Sequence, residues 1–116
     1  MKTERTALLE KIVRADADFR AAIEALGAYE WDFDARPVPL DRRALAILLA
    51  RYRDGTLSAQ DVRDWADFLE LRDDIDCTPQ EDADVLQDIL HTLATPETEG
   101  PLTPARALSL IGILRD

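Results

Sequence analysis

Apolar residues recur at helical spacing along most of the chain. Between positions 3 and 26 they fall at every third or fourth residue, which places them along one side of a helix. The same spacing recurs in four later segments: 41–53, 58–72, 78–94 and 103–115. We therefore predict an all-α fold, in which about five helices form one bundle and a single domain over residues 1–116.

Residues that commonly flank helices mark the ends of these segments. Asp41 and Ser58 each precede an apolar stripe, and their short side chains can accept a hydrogen bond from a free backbone N–H. Thr78 and Glu81 have the spacing of a capping box. Gly27 is predicted to end the first helix in the position after its last turn.

Residues 27–40 break the helical pattern, and we predict an irregular loop because two prolines in this range each remove a backbone donor. Acidic residues alternate there with three aromatic ones: Tyr29, Trp31 and Phe33. Such alternation is typical of a short extended segment, or of a loop with one side held against the protein. The sequence leaves open whether these aromatics, and Phe68 and Leu71 on the third helix, belong to the core or to an interface.

Negative charge is concentrated in one part of the chain, residues 73–105. The whole chain has a net charge of −10, whereas this segment contains no Lys or Arg. Its nine acidic residues are Asp73, Asp74, Asp76, Glu81, Asp82, Asp84, Asp88, Glu97 and Glu99. Solubility alone accounts for an acidic composition, but the clustering favours a basic protein as a partner.

Direct binding to nucleic acid is disfavoured by this composition, because carboxylates repel phosphates. Residues 41–71 have the outline of a helix–turn–helix, which in some proteins reads DNA. The second helix of that unit carries four acids and Arg63 as its one base before position 72. We therefore predict no direct contact with nucleic acid.

Metal binding and catalysis find little support in the sequence. Residues 73–84 have the length of a calcium-binding loop, but Ile75 and Cys77 occupy positions that need oxygen ligands. Asp88 and His91 have the spacing of a di-iron ligand pair, yet the chain has only one histidine. Cys77 lies among acids, which weakens a thiol as a nucleophile. We predict no enzyme activity, no metal and no cofactor.

The ends of the chain and its cysteine content bear on location. The N-terminus has charges throughout, and no apolar stretch resembles a signal peptide or a membrane span. A single cysteine allows no internal disulfide. We expect a cytoplasmic protein that does not bind membranes.

From about residue 57 to 111 the chain resembles a family of small helical bacterial proteins found near secreted toxins, which look like candidate immunity proteins. The residues that carry the resemblance are Leu57-Ser58-Ala59, Val62, Trp65-Ala66, Glu70, Arg72, Asp74-Ile75, Leu93-Ala94, Pro96-Glu97, Leu102-Thr103 and Arg106-Ala107. The resemblance implies a helical fold and an inhibitory role towards a toxin. It transfers no functional residue, because the matching positions are structural in character.

In its logic the chain is also similar to the immunity proteins of nuclease colicins, which are small acidic helical inhibitors. Their Asp-Tyr-Tyr signature is missing, since Tyr29 and Tyr52 are isolated from each other. Their binding residues therefore cannot be carried over to this chain.

These observations predict an acidic immunity-type protein that binds a basic toxin domain, such as a nuclease, and inhibits it. The alternatives are a nucleic-acid mimic of the anti-restriction or anti-CRISPR type, and a helical adaptor or scaffold protein. The predicted partner-binding residues are Asp73, Asp74, Asp76, Glu81, Asp84, Asp88, Trp31, Asp32 and Asp34.

Overall fold

The computed structural model of the chain describes residues 4–16, 18–27, 38–70 and 75–115. Within these ranges the fold is mostly helical, which confirms the predicted all-α class. The elements are α1 (Glu4–Val13), α2 (Phe19–Leu26), β1 (Val38–Leu40), α3 (Arg42–Arg53), α4 (Ala59–Leu69), β2 (Ile75–Cys77), a 3₁₀ turn (Gln80–Asp82), α5 (Ala83–Ala94), α6 (Pro96–Glu99) and α7 (Pro104–Arg115).

The single helix predicted over 3–26 is wrong, because the chain forms α1 and α2 with a break between them. Ala15 has a φ of 57°, in the left-handed region where an L-residue cannot continue a right-handed helix. The Ala15 carbonyl accepts a hydrogen bond from Arg51 Nη1 at 2.8 Å, which fixes the break against α3. Gly27 does follow the last residue of α2, but its φ of −53° is right-handed, unlike the usual glycine at that position.

The irregular loop predicted over 27–40 is wrong for its last three residues, which form strand β1. This strand pairs in parallel with β2, so that Val38 lies opposite Ile75 and Leu40 opposite Cys77. Those four side chains are buried, while Pro39 between them is exposed. A proline is tolerated here because, in the part of the chain that the structure describes, β1 has a neighbouring strand on one side only. Residues 28–37, including Tyr29 and Phe33, lie outside the described residues.

The fourth predicted helix begins later than position 78, and the predicted capping box of Thr78 and Glu81 does not form. Instead, the Thr78 N–H donates to the Leu40 carbonyl at 2.9 Å, which extends the strand pairing by one residue. Pro79 follows with an extended ψ of 165°, so no helix can include it. A 3₁₀ turn then leads into α5, which ends at Ala94 as predicted.

The other predicted helix starts are confirmed in detail. Asp41 and Thr103 each accept a hydrogen bond from the N–H three residues later, at 2.9 and 3.2 Å. Ser58 and Asp61 form a full capping box, with reciprocal bonds of 3.0 and 2.9 Å between side chains and backbone. The short α6 precedes α7 and was not predicted, since its four residues are too few to show periodicity.

Trp65 on α4 is the largest fully buried side chain of the described residues. Its side chain is fully buried, and its Nε1–H donates to the Ile12 carbonyl of α1 at 2.6 Å. The main helix pairs around it are α1 with α2, α3 with α7, and α4 with α5. Phe68 is half-buried and packs against this core, whereas Leu71 lies outside the described residues. Among the described helices, none is both long and apolar enough to cross a membrane.

Candidate partner-binding surface

Four of the predicted partner-binding residues lie in the described part of the chain, and all four are exposed. Asp84 and Asp88 lie one turn apart on α5, Glu81 lies in the 3₁₀ turn before it, and Asp76 lies in the middle of β2. We call these four residues the acidic surface. The other five predicted residues lie outside the described residues: Trp31, Asp32, Asp34, Asp73 and Asp74.

Within the described ranges, the four carboxylates of the acidic surface have no basic side chain paired with them. None of them forms an ion pair within 4.0 Å with a Lys or Arg of the described ranges. Like charges one helical turn apart, as at Asp84 and Asp88, destabilise an isolated helix by about 0.2–0.5 kcal/mol. The position of Asp84 in the first turn of α5 offsets part of this cost through the helix dipole.

Asp82, in the same segment, differs from these four residues because an arginine neutralises its carboxylate. It lies between Glu81 and Asp84 in sequence, yet its side chain turns towards α3 and is only 15% exposed. Arg42 forms a bidentate ion pair with this carboxylate, with Nε and Nη2 each 2.9 Å from a different oxygen. This hydrogen bonding to Arg42 lowers the pKa of Asp82 below its ordinary value.

A similar arginine neutralises the N-terminal half of α4. Arg20 on α2 lies 2.7 Å from Asp61 and 2.7 Å from Asp64. The pairing of Arg20 and Arg42 with these acids could not be predicted from the sequence, because each arginine is about 40 positions away from the acid that it binds. Asp61, Asp64 and Asp82 are therefore neutralised, whereas no described Lys or Arg neutralises the acidic surface.

A groove runs beside the acidic surface, between β2 and the start of α5. It is lined by Ile75, Asp76, Cys77, Thr78, Gln80, Ala83 and Gln87. Gln87 Nε2 donates to the Cys77 sulfur at 3.4 Å. Burial, and to a lesser extent the nearby Asp76 charge, raises the pKa of the Cys77 thiol, whereas the Gln87 bond lowers it. The raised pKa keeps the thiol protonated, and a protonated thiol is a poor nucleophile.

His91 lies at the other end of the same α5 face, three residues after Asp88. Its Nδ1 is 2.7 Å from a carboxylate oxygen of Glu70, at the end of α4. This hydrogen bond raises the pKa of His91 above 6.5, and the charges of Glu70, Glu99 and Asp88 raise it further. The main partner of His91 is therefore Glu70, at the end of another helix, and not Asp88, whose spacing from His91 the sequence shows.

We expect the NMR titration of His91, the only histidine in the chain, to give a pKa above 6.5. Replacing Glu70 with Gln should lower it, and replacing Glu99 with Gln should lower it less, because the hydrogen bond to Glu70 is the larger cause. Since the folded-state pKa is raised, the pair stabilises the fold most below the unfolded pKa. That contribution is lost as the pH rises through the folded-state pKa. Equal titration of the wild type and Glu70→Gln would contradict this assignment.

Neither a metal site nor a similar known protein indicates the function of the acidic surface. Across the described ranges, no three His, Cys, Asp or Glu residues are grouped closely enough to hold a metal ion. Comparison of the chain with protein-family models, curated proteins and solved structures found no match. What supports a function is therefore the charge and geometry of the acidic surface itself.

Proposed function

We propose that this chain is an acidic immunity-type protein, which binds a basic toxin domain such as a nuclease and inhibits it. The observation that carries the proposal is the exposed and unneutralised state of Asp76, Glu81, Asp84 and Asp88. Two arginines elsewhere in the fold each neutralise nearby carboxylates. Among the described residues, these four acids form no such ion pair, and they lie on β2, the 3₁₀ turn and α5, which follow one another in the chain.

Binding of a cationic partner to this surface is favourable for two reasons. It relieves the repulsion between Asp84 and Asp88, and it speeds the encounter, because complementary charges steer association by tenfold or more at low salt (about 10 to 10³-fold). The groove beside Asp76 is lined mainly by polar groups, among them the amides of Gln80 and Gln87. We propose that these amides form hydrogen bonds with the partner, since exposed charges contribute more to the association rate than to the affinity.

A cytoplasmic immunity protein needs no chemistry of its own, because it acts by covering or distorting a toxin's active site. The same four carboxylates repel nucleic acid, so they suit contact with a nuclease better than contact with its substrate. We place the predicted residues Trp31, Asp32, Asp34, Asp73 and Asp74 in the same proposal as further contacts.

The test begins with affinity capture of the tagged chain in the host at low salt. We expect it to retain one basic protein that arrests growth when it is expressed alone, and growth should return when this chain is co-expressed. A captured partner that causes no growth arrest would favour the alternative of a helical adaptor or scaffold. Capture of no basic protein at all would contradict the proposal.

Nucleic-acid mimicry is the second candidate, because Asp84 and Asp88 repeat at one helical turn as phosphates repeat along a strand. If the captured partner is a nuclease, competition with duplex DNA separates the two functions. A mimic and DNA exclude each other from the same channel. An immunity protein that binds away from the channel leaves DNA binding intact while it blocks cleavage.

A further inference from the structure

The two strands of the sheet differ in what their outer edges offer to another strand. Successive residues of a β-strand point their backbone N–H and C=O groups alternately to its two sides. In β1, Leu40 and Val38 face β2, because the Leu40 carbonyl accepts the bond from the N–H of Thr78. The residue of β1 that faces outward is therefore Pro39, which has no N–H. The outer edge of β1 thus has no donor for a further strand.

The outer edge of β2 carries backbone groups without partners. The Thr78 N–H donates to the Leu40 carbonyl at 2.9 Å, so Asp76, two residues earlier, also faces β1. The N–H and C=O groups of Ile75 and Cys77 therefore point away from β1. Among the described residues, no hydrogen bond ends on these four groups. Ile75 and Cys77 are each only 8% exposed, and backbone groups that are covered but unpaired cost stability.

The groove between β2 and the start of α5 opens along this same edge. Its lining includes four consecutive residues, 75–78, whereas a groove on one face of a strand would be lined by alternate residues. Among the described residues, none from β1 lines it, and the other wall is formed by Gln80, Ala83 and Gln87. Its volume of about 430 Å³ lies within the roughly 300–1,000 Å³ of ligand sites. The edge is therefore open to a short extended segment.

The charges around this edge indicate which segment it takes. Asp76 is exposed at the middle of β2, and Glu81 and Asp84 each follow a residue that lines the groove. A strand with Lys or Arg at alternate positions would set a positive charge beside Asp76 while its backbone pairs with β2. A second copy of this chain would bring another acidic surface to the same place, where like charges repel.

We infer that the outer edge of β2 binds an extended, basic segment of the partner protein as a third strand of the sheet. This inference rests on the proposed function, because it assigns the segment to the cationic partner of the acidic surface. Backbone pairing gives the affinity, while the carboxylates select for Lys and Arg. Strand addition also satisfies the N–H and C=O groups that the free chain leaves unpaired.

Amide hydrogen exchange of the free chain tests whether the edge is open. After correction for the intrinsic rates, the N–H groups of Ile75 and Cys77 should exchange about tenfold or more faster than that of Thr78, which is paired with Leu40. The comparison is internal, since the three amides lie within four residues. Equal protection of all three would show that the edge is already paired and would overturn the inference.

A capped peptide of alternating lysine and threonine is the probe for strand addition. At low salt its binding should slow the exchange of the Ile75 and Cys77 amides and leave that of Thr78 unchanged. A second peptide of the same sequence, with its backbone amides N-methylated, keeps every charge but has no backbone donor. We expect it to bind about tenfold or more weakly, because the hydrogen bonds to β2 are lost.

A charge variant tests the selection for basic residues. Asp76→Asn should weaken binding of the unmodified peptide about two- to fivefold, since it removes the cross-strand ion pair. Asp67→Asn is the matched control, an equal charge change at an exposed position on α4, and it should leave the affinity unchanged. Equal affinities of the two variants would contradict the selection.

The outcomes separate strand addition from the proposed function. Equal binding of the two peptides overturns strand addition, because charge alone would then explain the contact, and so does no binding of the unmodified peptide. Protection of Ile75 and Cys77 at rising protein concentration without peptide would assign the edge to a second copy and overturn it too. A captured basic toxin that leaves these two amides unprotected in its complex keeps the proposed function and overturns strand addition. Affinity capture of no basic protein overturns the proposed function, whatever the peptides do.

Discussion

Replacing Trp65 with alanine is expected to lower the free energy of unfolding by about 3–5 kcal/mol, the usual cost of removing a large buried aromatic. The side chain is fully buried on α4, and its ring nitrogen binds the Ile12 carbonyl of α1. A protein of this size is stable by only about 5–15 kcal/mol, so the variant should lose a large fraction of its stability and unfold at a much lower urea concentration. Urea unfolding followed by circular dichroism measures the difference.

The variant Trp65→Phe separates the hydrogen bond from the bulk of the ring. It keeps most of the apolar volume but removes the N–H donor. The Ile12 carbonyl retains a second donor, the N–H of Ala15 at 2.9 Å, so the loss of the bond itself should cost about 1 kcal/mol. Asp67→Ala, at an exposed position on the same helix, should change stability by less than about 0.5 kcal/mol. If Trp65→Ala were as stable as Asp67→Ala, burial of the Trp65 ring would not stabilise the fold.

Replacing Leu40 with alanine is the second large expected effect, about 2–5 kcal/mol of lost stability. Leu40 is fully buried at the end of β1, opposite Cys77 of β2. Pro39, its immediate neighbour, is exposed, so Pro39→Ala should cost no more than about 1 kcal/mol, chiefly through a freer unfolded chain. The same urea titration measures both variants. Equal effects at positions 39 and 40 would show that the strand does not alternate between core and solvent.

The fold class follows from local sequence signals, and its departures arise from contacts that are distant along the chain. Periodicity and the caps at Asp41 and Ser58 predict α3 and α4 well, because the cause and the effect lie within four residues. Strand β1 could not be predicted in this way, since its partner β2 lies more than 30 positions later. The helix break at Ala15 could not be predicted from the sequence either. An alanine does not indicate a left-handed conformation, and the hydrogen bond from Arg51 that stabilises it is 36 positions away.

The candidate site was predictable to a similar degree. Simple charge counting finds the acidic segment, and helical spacing places Asp84 and Asp88 on an outward face of α5. Neither signal shows which carboxylates remain unneutralised, because this depends on the position of Arg42 in the folded chain. Asp82 is therefore withdrawn from the exposed acidic surface by its ion pair with Arg42, although its sequence setting is the same as that of its neighbours.

We propose that the acidic surface binds a basic partner because its carboxylates lie close to the site of contact. The net charge of the chain alone would not produce this effect. The direct test is the association rate with the captured basic protein, measured by stopped flow at increasing ionic strength. The double variant Asp84→Asn, Asp88→Asn is compared with Glu24→Gln, Asp67→Asn, which removes the same number of charges from exposed positions on α2 and α4. We predict that the first slows association by about tenfold at low salt, with a shallower salt dependence, while the second changes it little. Equal rates for the two variants would contradict the claim.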